Sequence, residues 1–135
     1  MSFANTLVQA LIVHVESVVL DITTRNALVE GFVNDNELGS NEFPFCQFFG
    51  ITVEAIPEDY GQEEAIYDIN CRMLRDPSAG EQMHLDIDGI RESVLADYHL
   101  SGLVNRVWLQ AYGVDEISSR ERTVGAIIFQ AQVVR

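Results

Sequence analysis

The chain reads as one α+β domain over residues 1–135, a four-stranded, mainly antiparallel sheet with two helices packed on one face, in the order α-β-β-α-β-β. Three observations predict this. Apolar residues recur at helical spacing near the start and again from Met83 to Tyr98. They alternate with period two from Ala65 and again toward Val134. Clusters of Pro, Gly, Asn and Asp separate these stretches, where turns belong. A chain of 135 residues suits one ordinary domain. It can bury roughly two-thirds of its unfolded surface, so no metal or disulfide is needed for folding.

The first helix is expected over about residues 2–20, where Phe3, Leu7, Leu11, Val15 and Val18 share a face. The β-branched Val13, Val15, Val18 and Val19 leave a strand open for residues 11–20. A further short helix is expected within 23–34, capped by Thr23 or Thr24, with Ala27, Leu28 and Phe32 facing inward. A polar loop then leads to Pro44. Phe45 to Ala55 is aromatic and β-branched and predicts a strand ending at Pro57. Residues 57–63 form a turn, and from Ala65 the positions Ala65, Tyr67, Ile69, Cys71 and Met73 mark the buried side of a second strand, antiparallel to the first. The second main helix carries Met83, Ile87, Ile90 and Val94 inward, with Asp86 and Asp88 near its positive end and Gly102 after its close. Val104 to Tyr112 and Thr123 to Val134 are the last two strands, joined through 113–122. Cys46 and Cys71 fall on predicted strands and read as reduced core residues.

Charge narrows the function. Eight basic residues against 21 acidic ones give −13, and no lysine occurs. Tight nucleic-acid binding needs cations where this chain has carboxylates, so it is not expected. The apolar start from Phe3 to Val15 has no basic leader and is too short to span a bilayer. Neither signal peptide nor membrane contact is therefore expected, and synthesis belongs in the cytoplasm. Catalytic patterns are missing. No two of His14, His84 and His99 have the four-residue spacing that puts two ligands on one helix face. Asp86-x-Asp88-Gly89 lacks the later glycine and glutamate of a calcium loop. The acidic pairs Glu58-Asp59, Glu63-Glu64 and Asp115-Glu116 read as solvated loop residues. An enzyme is not expected, nor any cofactor or metal.

Association is the better-supported theme. Phe43, Phe45, Phe48 and Phe49 put aromatic rings on both sides of one strand, and a sheet with helices on one face has another face to cover. Trp108 and Tyr112 are expected to share a face with Arg106 and Gln110, a mixture common at interfaces. The loops 57–63, with Glu58, Asp59 and Tyr60, and 113–122, with Arg120 and Arg122, should project toward neighbours. In an acidic chain those arginines are scarce partners for carboxylates of an adjacent subunit.

From Phe43-Pro44-Phe45 onward the chain resembles the tail terminator proteins of long-tailed phages and prophages. The likeness runs through the strand hairpin, the helix from Ile87 to Leu100, Ser101-Gly102-Leu103-Val104, the Val-Trp-Leu strand and the alternating strand Ala126 to Val134. It covers residues 43–135 and lies in spacing and residue type. The resemblance implies a virion structural protein of the tail, made in the host cytoplasm, that forms a hexameric ring on the tail tube. The ring would end tube polymerisation and offer a head-tail joining surface to the head connector protein, while DNA passes through without specific binding. Two other readings are another neck or minor tail protein and an acidic cytosolic protein-binding module, such as an inhibitor or DNA mimic.

Overall fold

Ser2 starts the first helix by accepting a hydrogen bond from the Asn5 N–H at 3.1 Å. Helix α1 then runs Phe3–Val18 in the computed structural model, which describes residues 2–57, 63–115 and 122–134. Its buried stripe is Leu7, Val8, Leu11, Ile12 and Val15, so the helix-or-strand ambiguity of residues 11–20 resolves to helix through Val18. Each such side chain contributes about 1.5–3 kcal/mol relative to exposure.

Next come strand β1 (Thr23–Asn26), the one-turn helix α2 (Ala27–Glu30), and two 3-10 turns at Asp35–Glu37 and Ser40–Glu42. The long elements follow: β2 (Phe45–Pro57), β3 (Glu63–Arg75), helix α3 (Gly80–Ala96), β4 (Arg106–Asp115) and β5 (Thr123–Val134). The sheet order is β1-β2-β3-β5-β4. The four expected strands are all antiparallel to their neighbours, but the sheet has a fifth: β1 pairs parallel with Phe45–Phe48 of β2. The short helix expected within 23–34 is present as α2, but its cap and its inward face differ. Thr23 and Thr24 are extended, as β-branched residues prefer, and Asn26 is the cap, accepting from Leu28 N–H at 3.1 Å. One turn has no inward stripe, so Leu28 and Phe32 stay exposed, at 42% and 55%.

Both long helices cover one face of the sheet. There Cys46, Phe48, Ile69, Cys71, Met73, Ile127 and Phe129 join the α1 and α3 side chains in one core, with Phe48 stacked on Phe129 at 5.8 Å. Two glycines set how closely α3 sits. A Cβ on Gly125 would lie 2.7 Å from Met83 Sδ, and one on Gly89 would lie 2.6 Å from a Val18 methyl of α1. Cys46 and Cys71 are free, buried thiols with sulfurs 3.2 Å apart. Burial pushes the Cys71 thiol well above its ordinary pKa, and Cys46 adds to the effect.

Two polar ties hold α3. Asp86, expected to serve the helix dipole, instead sits seven residues in and is 4% exposed. It accepts from Arg75 Nε at 2.5 Å and from Gln82 at 2.9 Å. At the far end His14 of α1 bridges Ser93 Oγ at 2.7 Å and Asp97 Oδ2 at 3.0 Å. Asp97 Oδ1 also accepts from Ser101 N–H at 2.9 Å, within a turn where Leu100, Ser101 and Gly102 all have positive φ. That N–H holds the Asp97 carboxyl below its ordinary pKa against the opposing effect of burial, and His14 lowers it further.

Two outcomes follow. Removing one partner of the Arg75–Asp86 pair, as in Asp86→Ala, should cost about 3–5 kcal/mol in urea unfolding, and Arg75→Met/Asp86→Leu far less. Equal losses in both would show that the pair is not the cause. For Asp97 the depressed pKa adds stability that is complete above the unfolded value, about 3.9, and is lost as pH falls through the folded one. The stability gap between wild type and Asp97→Asn should therefore shrink below about pH 4. A gap independent of pH would contradict this.

Candidate functional site

The face of the sheet away from the helices is half covered. Gln47, 1% exposed, accepts from Val33 N–H at 2.9 Å and donates to Val33 C=O at 3.1 Å. Beside it Arg72 grips the Asp35 carboxylate with both Nε and Nη2, the Nε contacts being 2.9 and 3.1 Å. Arg122 donates to the Asp35 carbonyl. These bonds lay the loop after α2 across the end of the sheet near Phe45, where Phe32 meets Phe49 edge-on. A cavity of about 580 Å³ remains there, lined by Phe32, Asn34–Glu37, Phe49 and Arg72.

The other end of this face is open. Across β2, β3, β5 and β4 one row is Glu54, Ile66, Gln132 and Arg106, and the next is Thr52, Asp68, Gln130 and Trp108. Gln130 donates to Asp68 at 2.8 Å and Gln132 to Glu64 at 2.9 Å, which fixes these carboxylates on the sheet surface. The Arg106 guanidinium stacks 4.4 Å from the centroid of the Trp108 ring. On the helix side of the same edge, Leu95, Tyr98, Arg106, Val107 and Trp108 line an apolar groove of about 380 Å³.

Of the residues singled out from sequence, Arg106 and Trp108 do share a face and touch. Tyr112 does not share it. A register shift between Leu109 and Ala111 turns it to the level of Ile127, on the helix face. Arg122 is engaged within its own chain by Asp35. Glu58, Asp59, Tyr60 and Arg120 lie outside the described residues. Sequence reasoning passed over Glu54 and Asp35, since single carboxylates in an acidic chain carry no spacing signal.

Catalytic arrangements are thin. Among the described residues no group of three or more His, Cys, Asp or Glu side chains could hold a metal ion. Ser93, His14 and Asp97 contain the groups of a hydrolytic triad, but Nδ1 meets the serine and Nε2 the carboxylate, the reverse of the usual assignment. They tie α1 to α3, and the cavities above are lined by other residues. No helix among the described residues is long and apolar enough to cross a membrane.

No protein-family model matches the chain, and no curated protein matches it. Among solved structures it is similar to a chain of the virion of a native gene transfer agent (GTA) particle. The identity is 12% and the TM-score 0.57, over 99% of this chain and 98% of that chain. At that identity the likeness is one of fold, and it takes in nearly the whole of both chains.

Proposed function

We propose that this chain is a structural subunit of a phage-like virion that closes the tail tube as a hexameric ring and forms the surface where head and tail join. The observation that carries this reading is the end-to-end likeness in fold to a chain of a gene transfer agent virion. The resemblance of residues 43–135 to tail terminators supports the same position within the particle. A sheet with one face sealed by helices and the other open over half its extent suits a subunit of a ring. The helices supply stability, and the open face is free to look inward.

In that arrangement the charge acquires a role. Glu64 and Asp68 lie toward the open end of this face, and described arginines near the covered end are bound by Asp35. Carboxylates on a lumen wall repel DNA phosphates over about a Debye length, ~8 Å at physiological salt, so DNA slides through without sticking. The ring subunit needs no reaction and no cofactor. Its partners are further copies of itself, the tube protein and the head connector.

Deleting the gene in a particle-producing strain tests the reading. The expected result is tubes longer than in wild type and without heads, restored by supplying the chain in trans. Normal-length tails joined to heads would overturn it. Glu64→Lys/Asp68→Lys should assemble normally and slow DNA ejection, and an unchanged rate would remove the open face from the lumen.

A further inference from the structure

The sheet has two edges that no further strand covers among the described residues, although on the outer side of β4 the Val107 N–H donates to the Tyr98 carbonyl at 2.9 Å. β4 is the last strand on one side. On the other side β1 covers only Phe45–Phe48, so β2 has no neighbouring strand from Gly50 to Pro57. Exposed edges are templates for pairing with another chain. We propose that they pair with each other: the free part of β2 on one copy adds to the outer edge of β4 on the next, head to tail. This rests on the ring reading above and names the contact that would build the ring.

Four observations fit the pair. Strand direction alternates through β2, β3, β5 and β4, so β2 of a second copy beside β4 continues the antiparallel order. The lengths match as well. Tyr112 lies level with Phe48, where β1 begins to obstruct, which leaves Arg106–Ala111 level with the free stretch of β2, the Val107 N–H exchanging its Tyr98 carbonyl partner for the incoming strand. On the open face the row that ends in Arg106 begins with Glu54, so an unstaggered junction sets a cation against a carboxylate. On the helix face the corresponding row ends in Val107 and begins with Val53, which is 52% exposed. Val53 of the second copy then enters the apolar groove lined by Leu95, Tyr98 and Val107. Because the two edges differ, the contact is heterologous, and it closes into a ring when the rotation per subunit permits.

Cysteine cross-linking in purified particles tests this. Glu54 and Arg106 are both exposed, and the native thiols are buried, so new cysteines react alone. Particles holding both Glu54→Cys and Arg106→Cys chains should give a two-chain band on mild oxidation, and neither variant alone should. Glu54→Cys/Arg106→Cys in one chain should give a ladder of bands. Incorporation of Arg106→Glu should fall on the order of tenfold or more through like-charge contact and recover in Glu54→Arg/Arg106→Glu. A chain that enters particles normally yet forms no mixed cross-link overturns the edge pairing and leaves the ring reading standing. So does Glu54→Cys cross-linking to itself, which would make the contact isologous. A wild-type chain absent from particles overturns both.

Discussion

Strand β3 is hydrogen-bonded along nearly its whole length to β2 on one side and β5 on the other. From Ala65 to Met73 its side chains alternate without a break: Ala65, Tyr67, Ile69, Cys71 and Met73 are buried under the helices, while Ile66, Asp68, Asn70 and Arg72 look the other way. A one-residue slip would exchange the two sets and put Asp68 and Arg72 into the core, so the apolar pattern itself locks the register. From that register the rest follows. It seats α1 and α3 on one face, sets Gly125 under Met83, and draws Arg75 at the strand's end toward Asp86 of α3. It also leaves the opposite face with only the loop after α2 laid across one end.

The handling of charge is the second constraint. With −13 overall, the chain has few cations, and several of those described are engaged internally. Arg25 donates to the carbonyls of Glu30 and Gly31, Arg72 and Arg122 meet Asp35, and Arg75 meets Asp86. Each of these fastens a loop or helix to the sheet. Arg106 differs, since it sits exposed at the rim of the open face, stacked on Trp108. The surface thus keeps carboxylates on the open face and a cation beside an apolar groove along one edge.

Much of this was legible in the residues. The alternation along β3 and β5 and the helical spacing of Met83, Ile87, Ile90 and Val94 are local patterns, and local patterns survive into the fold. What escaped depends on long-range pairing. Strand β1 has four residues and no alternation to reveal it, and only the parallel ladder with Phe45–Phe48 defines it. The bulge at Leu109/Ala111 moved Tyr112 off the face that simple counting assigned it. Asp86 looked like a helix-start acid because its partner Arg75 lies on a different element, and Asp35 meets Arg72 across 37 residues. The candidate surface was legible as Arg106 and Trp108. Its counterpart, Glu54, emerges only once the rows across the sheet are known.

The position proposed for the chain is one ring, at the end of the tail that meets the head. The most direct measurement is to attach a gold-binding tag to the chain and image complete particles by electron microscopy. A ring at that position confines the label to the head-proximal end of each tail. Label spread along the tube, or found in the capsid shell, would contradict it.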